Sequence, residues 1–165
     1  VARDARPFRA FVDPDDHAFL APLDMPEAIR EWCRSTNQEI PDSDGGVVRC
    51  ALESLALKYR TVLGWLEELS GERVEVIHIV GGGTQNELLN QFTANATGRP
   101  VVTGPIEATA LGNILVQART AGAVGSLSEI RSVVRASSTM RRYEPENTAA
   151  WNEAHARFTA IMARR

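Results

Sequence analysis

The stretch "VEVIHIVGGGTQNELLNQF", residues 74–92, constrains the fold more than any other part of the chain. Val74, Val76, Ile77, Ile79 and Val80 run into three glycines, after which the pattern becomes helical. That density of β-branched residues predicts a strand over 74–80 covered on both faces, as in α/β proteins with parallel sheets. A helix is expected from about Glu87 to Ala96, broken by Gly98-Arg99-Pro100. Val101 to Thr103 predict a second short strand, and Gly104-Pro105 turns into a helix of small residues through Leu111, Leu115 and Ala118. Residues 74–121 therefore read strand, helix, strand, helix, with right-handed connections if the strands are parallel neighbours.

The flanking segments read as helices that cover such a sheet. Asp24, Pro26 and Glu27 are placed to cap and start a helix carrying Ile29, Trp32 and Cys33 on one face. A longer helix follows the polar loop 35–46, with Val48, Leu52, Leu55, Ala56, Tyr59, Val62, Leu63 and Leu66 forming an apolar stripe. Arg49, Glu53 and Lys58 fall on its other faces, and Gly71 is the expected stop. Nearer the start, "FRAFV" predicts a short strand over 8–12, and "DPDD" over 13–16 predicts a turn. Ser126 and Glu129 have the spacing of a capping box, and Trp151, His155, Phe158 and Met162 share a face of a last helix, where His155 reads as a packed histidine.

Composition removes several function classes. A chain of 165 residues with 44% hydrophobic content holds one core, and one domain is expected. It contains no 18-residue apolar run and no apolar-centred leader, so a cytoplasmic location and no membrane partner are expected. A net charge of -3, with basic pairs only at Arg141-Arg142 and Arg164-Arg165, argues against a nucleic-acid partner. Cys33 and Cys50 lack metal-ligand spacing and read as free core thiols, and no metal ligand is assigned.

The chemistry concentrates at the glycines. A helix opening after Gly81-Gly82-Gly83 presents backbone amides without intrahelical partners, and glycine lets an anion or a flat ring reach the backbone. Thr84 and Glu87 have capping-box spacing and compete for those amides, which makes the glycine surface itself the better ligand site, with Asn86 offering an amide beside it. By itself the triglycine also fits tight strand-helix packing. It is neither GxGxxG with an acidic partner nor GxxxxGK[ST], so dinucleotide and P-loop readings are poorly supported. In "TGPIEATALGN", Pro105 suits a first helical turn, Glu107 suits a helix start as cap or ion-pair partner, and Ala108, Ala110 and Gly112 permit close approach by a neighbouring element.

Three segments, "FRAFVDPDDHAFLAPLDMPEAI", "VVRCALESLALKYR" and "IHIVGGGTQNELLNQFTANATGRPVVTGPIEATALGNILVQA", resemble the FGGY family of carbohydrate kinases, and within it the branch acting on L-rhamnulose. The resemblance implies an α/β fold, a partial ribonuclease-H-like domain of the actin and sugar-kinase ATPase type, with helices on a short, mainly parallel sheet. It implies that residues 1–165 are the C-terminal portion of the second kinase domain, a fragment beginning at Val1. The family's N-terminal sugar-binding domain, the upstream part of the second domain and the catalytic aspartate have no counterpart here, so no catalytic residue is assigned. Carried over by motif, Gly81, Gly82 and Gly83 underlie the adenine and ribose of ATP or ADP, and Asn86 meets the adenine edge. Glu53 and Arg49 are expected nearby. Mg²⁺ is expected with nucleotide in a complete enzyme that phosphorylates L-rhamnulose at its 1-hydroxyl. The portion alone is expected to be inactive and to bind nucleotide weakly if at all, and its exposed sheet edge offers a route to self-association. The competing reading is a noncatalytic scaffold or interaction domain that keeps the fold but not the nucleotide.

Overall fold

The computed structural model describes residues 1–163, and the Arg164-Arg165 pair lies outside them. The chain begins with an irregular segment, then α1 (Met25–Ser35), α2 (Asp44–Ser70), β1 (Ile77–Ile79), α3 (Glu87–Thr97), β2 (Val101–Thr103), α4 (Ala108–Thr120), α5 (Leu127–Ser137), β3 (Arg142–Tyr143) and α6 (Thr148–Met162). The sheet order is β1-β2-β3. β1 and β2 are parallel, with Ile77 opposite Val101 and Ile79 opposite Thr103. β3 adds an antiparallel edge, Val102 facing Arg142, which makes the sheet mixed.

Local signals placed several helix ends. Asp24 caps α1 by accepting from Glu27 N at 2.9 Å, a bond worth about 1 kcal/mol. Ser43 caps α2, and Gly71, at φ 70°, ends it by returning its N–H to Glu67 O. Ser126 caps α5, while the Glu129 carboxylate bonds Gly125 N in place of the Ser126 amide. Residues 13–16 form the expected turn, with Asp15 N on Asp13 Oδ1.

Four expectations about the strands and packing are corrected. Residues 8–12 form no strand because no neighbouring strand takes up their backbone; side chains do instead, with Phe8 N on Glu53, Phe11 N on Gln38 and Val12 N on Ser54. β1 covers only three residues of the expected seven, and it is half-buried, with His78 and Val80 exposed. The expected stripe of α2 is only partly inward. Val47, Cys50, Glu53, Ser54, Ala56 and Leu57 are buried, whereas Val48, Tyr59, Val62 and Leu66 are exposed. The close approach expected at Ala110 and Gly112 is absent: Ala110 is exposed, and a Cβ at Gly112 would meet nothing within 4 Å.

The main core joins Phe11 of the irregular segment to Ala56 and Leu57 of α2, Phe92 and Ala96 of α3, and Trp151, Ala154 and Phe158 of α6. A second cluster packs α1 on α2 through Ile29, Trp32, Cys33, Val47 and Cys50, and both thiols are free and buried. His155 is half-buried at the edge of α6, 3.1 Å from Thr61 Oγ1, and burial followed by the Arg60 charge holds its pKa below the ordinary value. No helix among the described residues is long and apolar enough to cross a membrane.

Candidate functional site

The carboxyl ends of parallel strands are where an α/β sheet gathers its connecting loops, and ligands bind in the crevice they leave. Here the loops after β1 and β2 are tied to each other by backbone bonds: Gly81 N donates to Pro105 O at 2.9 Å, and Gly104 N donates to Ile79 O at 2.8 Å. Close approach is required at Gly104, where a Cβ would lie 2.9 Å from Val80 Cγ1. Gly81 takes φ 78°, a conformation that side chains disfavour.

Between Gly81 and Gln85 the chain makes a short 3₁₀ turn, not the start of the α-helix. Thr84 therefore does not cap α3; its Oγ1 donates to Gly81 O at 2.8 Å. Asn86 is the cap, its Oδ1 accepting from Leu89 N at 3.1 Å, and Glu87 points to Arg3 and Arg141. Gly82 and Gly83 are exposed, and a Cβ on Gly82 would find open space. Asn86 is likewise exposed, one residue past the turn. The four residues singled out in the sequence thus form one continuous, largely bare surface.

Two hollows flank the turn and share Gln85 and Glu87. One, of about 680 Å³, runs from Thr84 past Gly104, Pro105 and Ile106 to Ser138, Thr139 and Arg141. The other, about 510 Å³ and more open, is bordered by Arg3, Gly82, Gln85, Asn86 and Leu88. Both volumes suit a small organic ligand. A cavity of about 260 Å³ between the irregular segment and α2 is smaller and lies away from the strand ends.

Pro105 does not occupy a helical turn as expected, since α4 begins only at Ala108, whereas Glu107 stands at the expected helix start as its N-cap residue. Glu107 makes no side-chain cap bond there. Arg49 and Glu53 lie one layer back. Glu53, 1% exposed, accepts from Arg49 Nε at 2.7 Å and Phe8 N at 2.8 Å; Arg49 also donates to the carbonyls of Ala2 and Arg3, which brings the Arg3 side chain to the glycine surface.

Arg3 and the wall of residues 137–141 were missed in the sequence. The wall reaches the site because β3 pairs with β2 and leaves Arg141 beside Thr103, with Thr103 N on Arg141 O at 2.8 Å. No local motif announces that pairing. A run of hydroxyls before Arg141-Arg142 was the only available signal.

The chemistry of this set is that of holding a ligand. Backbone glycines admit the face of a planar ring, Asn86 supplies an amide at its edge, and the adjoining hydroxyls and Arg3 suit a polar ligand extending from it. A purine nucleotide fits those donors and that open face. Among the described residues, no group of three or more His, Cys, Asp or Glu side chains is placed to hold a metal ion.

The model of the C-terminal domain of the FGGY family of carbohydrate kinases matches residues 1–121. Rhamnulokinase of Bacteroides thetaiotaomicron is 48% identical over 157 residues, which is 95% of this chain and 32% of that protein. Rhamnulokinase of Bacillus subtilis is 39% identical over 146 residues, 88% of this chain and 30% of that protein. The chain therefore spans about a third of the length of these curated relatives. Among solved structures, xylulose kinase from Rhodospirillum rubrum aligns with a TM-score of 0.59 at 21% identity, covering 74% of this chain and 25% of that one. Gluconate kinase from Lactobacillus acidophilus gives 0.58 at 17% identity, with the same coverage. These likenesses establish a sugar-kinase fold, and with the match over residues 1–121 the chain belongs to the FGGY family of carbohydrate kinases, through its C-terminal domain.

Proposed function

We propose that this chain is the nucleotide-binding lobe of an ATP-dependent kinase that phosphorylates L-rhamnulose at its 1-hydroxyl. The observation that carries the reading is the bare turn Gly81-Gly82-Gly83 at the carboxyl end of a parallel strand pair, with Gly82 and Asn86 bordering an open hollow of about 510 Å³. Gly81, Gly82 and Gly83 receive the adenosine, and Asn86 meets the base edge. The preference for rhamnulose rests on relatives named rhamnulokinase at 39–48% identity, well above the xylulose and gluconate kinases at 17–21%.

ATP supplies the phosphoryl group and Mg²⁺ neutralises its charge; no residue of this chain is assigned to the metal. No catalytic base is assigned either, because the early aspartates have structural roles. Asp13 bonds Asp15 N and pairs with Lys58, Asp16 caps the turn at His17–Phe19, and Asp24 caps α1. The lobe alone is expected to give no rhamnulose phosphorylation above background in a coupled ADP-release assay. Spliced in place of the matching third of the Bacteroides relative, it is expected to support that activity. A folded chimera without activity would favour a scaffold over a nucleotide lobe, and turnover by the lobe alone would refute its incompleteness.

The outer edge of β1 pairs with no strand among the described residues, so two copies of the lobe can associate there. Sedimentation is expected to show a mass that rises with concentration. A constant monomer mass would exclude edge pairing.

A further inference from the structure

We infer that Asn90 is the positioning residue for the glycine turn, holding Gly81–Gln85 in the shape that receives a ligand. The inference deepens the proposed function and rests on it for the identity of the ligand. Asn90 lies in the first half of α3 and is fully buried. Its Nδ2 donates to Thr84 O at 3.0 Å, and Thr84 Oγ1 donates in turn to Gly81 O at 2.8 Å. At its other end the turn is fixed by Gly81 N on Pro105 O. Gly82 and Gly83 are therefore spanned between two anchors, one from the second loop and one from α3.

The turn needs such anchors. A five-residue 3₁₀ turn has poor internal hydrogen bonds, and glycines carry the largest backbone entropy to be lost on ordering. A buried amide is a demanding way to supply one. Asn90 Oδ1 has no hydrogen-bond partner among the described residues, and leaving a buried polar atom unpaired is unfavourable. A leucine would fill this space without that penalty but would also release the Thr84 carbonyl. What the amide contributes that leucine cannot is the bond to the turn.

The test compares Asn90→Leu with Thr93→Val. Thr93 is buried on the same helix, and among the described residues its Oγ1 bonds only Leu89 O within α3, so its loss perturbs the helix without touching the turn. Backbone order parameters of Gly82 and Gly83, measured without nucleotide, are expected to fall from about 0.85 to below about 0.6 in Asn90→Leu and to stay high in Thr93→Val. ADP affinity is expected to weaken about tenfold in the first variant only. Unchanged order parameters, equal effects in both variants, or a loosened turn with unaltered ADP affinity would overturn the inference. Because the order parameters need no ligand, a wild-type chain that ignores ADP contradicts the proposed function and leaves the turn measurement to decide the role of Asn90. Should Asn90→Leu fail to fold, Asn90→Ala removes the Nδ2 donor without adding bulk or charge and serves the same comparison.

Discussion

Arg49→Met is expected to lower the unfolding free energy by about 3–5 kcal/mol near neutral pH, the effect of stranding a buried carboxylate. Glu53 is 1% exposed in the middle of α2, and Arg49 is its only ion-pair partner within 4 Å among the described residues. Phe8 N remains as one donor after the substitution, so the loss is of charge compensation more than of hydrogen bonding. Arg49 also lies 5.2 Å from the Phe92 ring centroid and holds the carbonyls of Ala2 and Arg3, so the irregular segment loosens as well. Against a total stability of about 5–15 kcal/mol, the substitution threatens the fold.

The pH dependence fixes the cause. Burial pushes the Glu53 carboxyl above its usual range, opposed by the Arg49 and Phe8 donors. Its folded pKa then exceeds the unfolded one, so the folded state binds more protons in the window between them, and stability from this group falls as pH rises through it. Removing Arg49 widens the window upward. The deficit of Arg49→Met is therefore expected to be smallest on the acid side of the window and largest above it. Arg49→Met combined with Glu53→Met is expected to recover most of the loss. Urea titrations of the wild type and these two variants at two pH values measure this; a deficit below about 1 kcal/mol that does not change with pH would contradict it.

Features set by neighbours in the chain were legible in the sequence. Asp24 caps α1 and Gly71 ends α2 because cap chemistry acts over three or four residues. The glycines after β1 were legible for the same reason, as consecutive letters, but the 3₁₀ turn they make in place of a helix start was not. The buried face of α2 was not. Val48, Tyr59, Val62 and Leu66 make the stronger apolar stripe, yet Glu53 and Ser54 are buried because Phe8 N and Val12 N, more than 40 positions away, bond their side chains. β3 was illegible on the same grounds, being two residues defined only by pairing with β2. The far wall of the cleft follows from that pairing and shared its invisibility.

Gly82→Leu is expected to separate binding from folding. A Cβ at this position meets nothing within 4 Å and Gly82 needs no positive φ, so the fold is expected to tolerate the side chain within about 0.5 kcal/mol. The same side chain would stand on the surface where the base is to lie. ADP affinity is therefore expected to drop more than about tenfold, or about 1.4 kcal/mol, with the urea midpoint unchanged. Gly81→Ala makes the contrasting case, since at φ 78° it strains the backbone by about 1–2 kcal/mol before any ligand arrives. The most direct measurement is an ADP titration of the ¹⁵N-labelled chain, wild type beside Gly82→Leu, followed at the amides of residues 81–86. Saturable shifts confined to that turn and its facing loop in the wild type, and missing in the variant, are the predicted result. A folded wild type whose turn amides stay still at millimolar ADP, or a variant that binds as well as wild type, would contradict the nucleotide site.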